Sequence, residues 1–237
     1  MSPTTSAHRA ISASASRWRS RYWLVLLLVA VSYVACAVQT GPNPSSLSLL
    51  IQLVTIAVTL QVAAVRPRIR RFGWMFAAVI GVATLIGTLL GAEGHTLDVT
   101  LAAVSVIAYA AAAAIIIADQ VRQRSFNLQA LWAVIAAYVM VGLSFTFVYN
   151  LVSLVSAAPV FGEGQADSLS SQLFFSFTTL TTTGYGNMVP VTPMLQSIAI
   201  LEAIAGQLFL ITAVARIVNA NKSIKSTRAH DSEADER

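Results

Sequence analysis

The Lys and Arg residues of this chain stand in four blocks, and the apolar runs between the blocks decide what it can fold into. Arg9, Arg17, Arg19 and Arg21 precede the first run, and Arg66, Arg68, Arg70 and Arg71 separate the second from the third. Arg122 and Arg124 separate the fourth from the fifth, and Arg216, Lys222, Lys225, Arg228 and Arg237 follow the last. The alternate loops hold no Lys or Arg. Membrane insertion imposes this asymmetry, because basic residues are retained on the cytoplasmic side. A composition that is 56% hydrophobic and 11% charged excludes an ordinary soluble domain. The net charge of +5 would suit nucleic-acid binding, but its placement at membrane boundaries argues against that partner and for membrane lipid. The expectation is an all-α membrane protein with six transmembrane helices and both termini cytoplasmic, placed in the plasma membrane.

Each run approaches or exceeds the ~20 residues needed to cross ~30 Å of hydrocarbon. Residues 1–21 read as a disordered basic leader, 22–126 as a four-helix unit, 127–219 as a second unit, and 220–237 as a short cytoplasmic tail. The first four spans are expected at 22–39, 46–65, 72–90 and about 97–118. The first has a rival reading as a signal peptide, since a basic segment precedes it and Ala35-Cys36-Ala37 imitates a cleavage site. In the second, Ser48, Gln52, Thr55 and Thr59 form one polar stripe, which faces either neighbouring helices or a water-filled crevice. The fourth carries no basic residue between Thr100 and Ala118, so it lacks the arginines of a voltage sensor. A fifth span is expected at 128–152 and a sixth from Pro193 to about Asn219.

Between the last two spans lies TTTGYGN, residues 181–187. Glycine reaches positive φ at little cost. Gly184 and Gly186 can therefore alternate with Thr183 and Tyr185 in opposite-handed conformations that turn successive carbonyls to one side. Four such strands around an axis would stack rings of oxygens from Thr182, Thr183, Gly184 and Tyr185, with the Thr182 hydroxyl as the innermost ring. Residues 168–180 are expected to form a helix leading into the motif, with Asp167 as its N-cap. The negative end of that helix's dipole then lies beside the motif.

TTTGYG resembles the TVGYG selectivity filter of potassium channels, and the resemblance extends over roughly residues 128–219. It implies a pore domain of outer helix, re-entrant pore helix, filter and inner helix, assembled as a homotetramer that conducts K⁺. In those terms Thr182, Thr183, Gly184, Tyr185 and Gly186 are the filter. K⁺ is held at the first four of these, and Thr178, Thr179 and Asn187 are filter support. Three departures stand out. Thr183 replaces the usual Val, Asn187 replaces the usual Asp, and Phe174 and Phe175 replace a Trp pair, so the usual hydrogen-bonded cuff around the filter tyrosine cannot form identically.

In the sixth span Gly206 lies twenty residues after Gly186, where the family places a hinge glycine. It reads as a hinge or as a small residue for close packing, and the two readings are not exclusive. Gln207, Leu210, Val214 and Val218 follow at helical spacing and are expected to line the cavity and inner constriction, where large apolar side chains gate by dewetting. Glu202 is a carboxyl inside a span, which costs roughly 2.5 to 3.5 kcal/mol at a helix centre. It reads as filter support through the pore-helix threonines, or alternatively as a packing residue. A single Cys and three scattered His offer no metal or nucleophile constellation, so neither an enzyme nor a cofactor is expected. Two alternatives remain: a weakly selective cation channel, and a non-conducting receptor or scaffold with a degenerate filter.

Overall fold

The computed structural model describes residues 22–39, 51, 54, 55, 57–59, 62, 95–122, 128–156, 159–162 and 164–235. Five helices are described in full: α1 (Tyr22–Ala37), α2 (His95–Arg122), α3 (Leu128–Val155), α4 (Leu169–Leu180) and α5 (Pro193–Asp235). The segments Asp98–Val121, Leu128–Val155 and Pro193–Arg216 are long and apolar enough to cross a membrane, and α1 is a shorter apolar helix of 16 residues. The described residues are thus helical apart from their loops, with the apolar helices of a membrane protein. Of the six expected spans, the third and most of the second fall outside the described residues, as do residues 1–21 and Arg124.

Small side chains set how closely α2 and α3 approach. Ala112 and Ala113 on α2 and Ala133, Ala136 and Ala137 on α3 are buried in one core with Tyr109, Ile116, Met140 and Phe147. Alanine faces let helix backbones come together where lipid supplies no hydrophobic drive. Tyr109 and Phe147 stack with ring centroids 5.8 Å apart, and the Ser144 hydroxyl donates across the interface to the Val106 carbonyl at 3.2 Å. Helix α1 joins this core through Tyr22, Val25, Val29 and Cys36 and lies against both α3 and α4. Its Ser32 shares a 3.1 Å hydrogen bond with Thr55, so the described part of the polar stripe faces a neighbouring helix. The Tyr22 hydroxyl donates to Asp119 Oδ2 on α2 at 2.7 Å.

Helix α4 starts one residue later than expected, and its cap differs. Ser168 is the N-cap, with its Oγ accepting from the Ser171 N–H at 3.1 Å. Asp167 instead accepts from the Val160 N–H at 3.0 Å. A free donor in the preceding loop takes the carboxylate, and the shorter serine, one residue on, is in place to bind the first turn. Helix α5 runs to Asp235 instead of ending near Asn219. The 219–235 stretch is polar but has neither Pro nor Gly, and polarity alone does not stop a helix.

Candidate functional site

Residues 181–187 are exposed on the single chain, with Tyr185 69% accessible. Gly184 and Gly186 take positive φ, 52° and 80°, as the alternating geometry requires. Thr182 does so too, at 57°, the one non-glycine among the described residues in that region. A β-branched residue there is unusual, and such strain costs about 1–3 kcal/mol where surrounding structure imposes it.

The imposing structure is the end of α4. The last carbonyls of an α-helix have no partner within it, and all four here are occupied. Phe177 O accepts from the Thr181 N–H at 3.0 Å and its hydroxyl at 2.7 Å. Thr178 O accepts from the N–H groups of Thr183 and Gly184 at 2.8 and 3.1 Å, and Thr179 O from that of Thr182 at 2.9 Å. Leu180 O accepts from the Tyr138 hydroxyl at 3.2 Å. The donors of 182–184 are thereby bound behind the strand. Among the described residues no hydrogen bond ends on the carbonyls of Thr182, Thr183, Gly184 or Tyr185.

The side chains around the strand follow a different plan from a hydrogen-bonded cuff. Phe174 stacks on Tyr185 with ring centroids 5.6 Å apart. Phe175 turns inward, where it meets Tyr149 edge-on at 5.1 Å and Phe161 at 5.0 Å. At the outer end, Gln165 Nε2 donates to the Asn187 carbonyl at 3.1 Å, and Val191 N–H donates to Val160 O at 3.2 Å beside a bridge between Phe161 and Pro190. Asn187 is thus tied to the 159–167 loop through its backbone, and Thr178 and Thr179 reach the strand through their carbonyls.

Glu202 is fully buried, and its carboxyl reaches neither threonine. Oε1 accepts from the Ser176 hydroxyl at 2.6 Å and Oε2 from the Tyr149 hydroxyl at 2.7 Å. Ser176 Oγ also lies 2.8 Å from the Gly142 carbonyl. Sequence reading missed Ser176 and Tyr149, which stand 26 and 53 positions from Glu202 and follow no spacing rule. Gly206, one turn further along α5, is buried against the end of α4, where an added Cβ would overlap the Leu180 carbonyl oxygen and lie 3.1 Å from its carbon. The structure therefore gives the glycine a close-packing role. Gln207, Leu210 and Val214 are exposed on α5, as are Ile204, Leu208 and Ile211. The side chain of Val218 lies outside the described residues. Among the described residues no group of three or more His, Cys, Asp or Glu is placed to hold a metal ion.

Residues 136–223 match a family model described as Ion channel, a stretch running from α3 through α4 and the strand into α5. No curated protein matches the chain. The family that this stretch is similar to is a non-enzymatic class whose members conduct ions passively, which supports that the chain is not an enzyme.

Proposed function

We propose that this protein is a potassium-selective channel, a homotetramer in which each chain contributes one filter strand. One observation carries the reading: among the described residues no hydrogen bond ends on the carbonyls of four successive residues, Thr182 to Tyr185, while the end of α4 binds the N–H groups of 182–184. Free carbonyls on an exposed strand are ligands for a dehydrated cation, and rings of them replace a K⁺ hydration shell. A single strand supplies one side of each ring, so closure takes a cyclic assembly of four copies. The exposed apolar side chains of α5, among them Ile200, Leu201, Ile204, Leu208 and Ile211, suit burial against neighbouring copies and lipid.

In this reading Thr182, Thr183, Gly184, Tyr185 and Gly186 form the filter, with K⁺ held at the first four. Thr178, Thr179, Asn187 and Glu202 support it, and Gln207, Leu210, Val214 and Val218 line the cavity below Gly206. The channel sits in the plasma membrane with both termini cytoplasmic. The test is ⁸⁶Rb⁺ or K⁺ flux into proteoliposomes of purified protein, with and without Ba²⁺, which is close to K⁺ in size but doubly charged. Uptake that Ba²⁺ blocks is expected, and Gly184→Ala is expected to abolish it while leaving the protein inserted, because φ 52° opposes a Cβ even though, its two neighbours in sequence aside, no described residue lies within 4 Å of it. Equal K⁺ and Na⁺ uptake by folded tetramer would replace this reading with a weakly selective channel; no uptake would favour a non-conducting receptor or scaffold.

A further inference from the structure

Ser176, Tyr149 and Glu202 come from α4, α3 and α5 and meet where all three are buried from solvent. With the Gly142 carbonyl they form one hydrogen-bonded line across the three helices: Tyr149 to Glu202, Glu202 to Ser176, Ser176 to Gly142. Resting on the channel reading above, we propose that Ser176 and Tyr149 are positioning residues for permeation: with Glu202 they fix the register of the inner helix against the pore helix, and the filter conducts while that line is intact.

Three features carry the inference. The first is the position of Ser176. It precedes by two residues Thr178, whose carbonyl holds the N–H groups of Thr183 and Gly184, so a shift of Ser176 reaches the filter backbone through less than one helical turn.

The second is the match between the two helices. Glu202 meets Ser176, and Gly206 meets Leu180, so an i, i+4 pair on α5 lies against an i, i+4 pair on α4. Residues four apart share one face of a helix. Sliding α5 by one residue would break both contacts together. A directional polar contact discriminates registers in a way that apolar packing of similar shape does not.

The third is the count of hydrogens. Tyr149 spends its one hydroxyl hydrogen on Oε2. Ser176 also has one, yet it faces two acceptors, Oε1 and the Gly142 carbonyl. A hydroxyl has two acceptor sites but a single donor. With its hydrogen on Oε1, Ser176 leaves the Gly142 carbonyl to the Thr146 hydroxyl at 2.9 Å; both contacts of Ser176 are hydrogen bonds at once when position 202 supplies a second hydrogen, from the carboxyl itself or from the amide of a substituted Gln. Gln is therefore the conservative replacement here. Glu202→Ala strips the buried Tyr149 hydroxyl of its partner and leaves Ser176 only the Gly142 carbonyl, and Ser176→Ala takes the donor from Glu202 Oε1 while the Gly142 carbonyl keeps that of the Thr146 hydroxyl.

The experiment is single-channel recording of the full-length protein in planar bilayers with symmetric K⁺, paired with thermal melting of the purified assembly. Glu202→Ala and Ser176→Ala are expected to lower open probability roughly tenfold, the factor that corresponds to ~1.4 kcal/mol, while the unitary current of the remaining openings is kept. Tyr149→Phe is expected to have a smaller effect in the same direction, and Glu202→Gln to restore open probability to near wild type. If Glu202→Ala fails to assemble, Ser176→Ala and Tyr149→Phe decide, since each removes a single hydroxyl. Wild-type open probability in both of those variants would overturn the inference, whatever happens to melting. So would a Glu202→Gln channel as impaired as Glu202→Ala. A silent wild type overturns the channel reading itself, and is thereby distinguished from a conducting wild type with indifferent variants, which overturns only the role given to this line.

Discussion

Gly206→Ala separates a hinge glycine from one that seats a neighbouring backbone. In a helix interior Ala is favoured over Gly by about 1 kcal/mol, so at an unpacked hinge the substitution stiffens the helix and raises stability. At Gly206 the new methyl would overlap the Leu180 carbonyl oxygen and stand 3.1 Å from both the carbonyl carbon and Cδ1. A leucine side chain can rotate away, but the carbonyl cannot move without carrying the end of α4 with it. Overpacking of this kind costs roughly 1–3 kcal/mol, and a backbone obstacle places the site in the upper part of that range. The net expectation is destabilisation of about 1–2 kcal/mol per chain after the propensity gain is subtracted. Displacement of Leu180 also disturbs its 3.2 Å bond from Tyr138 and the Thr178 and Thr179 carbonyls that hold the N–H groups of 182–184. Thermal melting of the detergent-solubilised assembly, together with K⁺ flux, is the assay. A lower midpoint and reduced flux are expected. A variant that melts at or above wild type with unchanged flux would refute the seat and return Gly206 to the hinge reading.

Gly142→Ala drives a Cβ to 2.7 Å from Cζ of the Phe177 ring, so it is expected to destabilise the protein, and Phe177→Leu in the same chain to recover much of the loss; additive effects in the double-mutant cycle would contradict the contact. Phe174→Ala removes the stack on Tyr185, worth about 0.5–1.5 kcal/mol, and is expected to shorten openings without changing the ion preference, as read from dwell times. The conductance-voltage relation is expected to be shallow: a charge crossing the field yields ~2.3 kcal/mol per 100 mV, and steep gating takes three or four per subunit. Helix α2 holds no basic residue between Thr100 and Ala118. A slope equivalent to several charges, persisting as permeant-ion concentration is varied, would count against that reading.

What was legible in the sequence was whatever depends on neighbours along the chain. Apolar run lengths located α1, α2, α3 and α5, and the spacing of Gly184 and Gly186 anticipated their positive φ. Contacts between distant positions were not legible. Glu202 was singled out because a buried carboxyl needs partners, but Ser176 and Tyr149 are ordinary residues of apolar helices until the fold brings them together. Gly206 offers two compatible readings, and only the approach of the Leu180 carbonyl brings out the close packing. Asp167 and Ser168 are equally good caps by type, and only the fold shows that the Val160 N–H takes the Asp167 carboxyl while Ser168 caps the helix. The positive φ of Thr182 had no local signal, since the strain is imposed by the Thr179 carbonyl and the cap at Thr181. Losing the Trp pair looked like losing a cuff; the Phe174 ring instead covers Tyr185 by stacking.

The central claim is that the free carbonyls of Thr182 to Tyr185 select K⁺ by replacing its water. The most direct measurement is the reversal potential of purified protein in a planar bilayer with K⁺ on one side and Na⁺ on the other at equal concentration. A potential displaced far toward the K⁺ equilibrium value is the predicted result. A reversal near zero from an intact, Ba²⁺-sensitive assembly would contradict it.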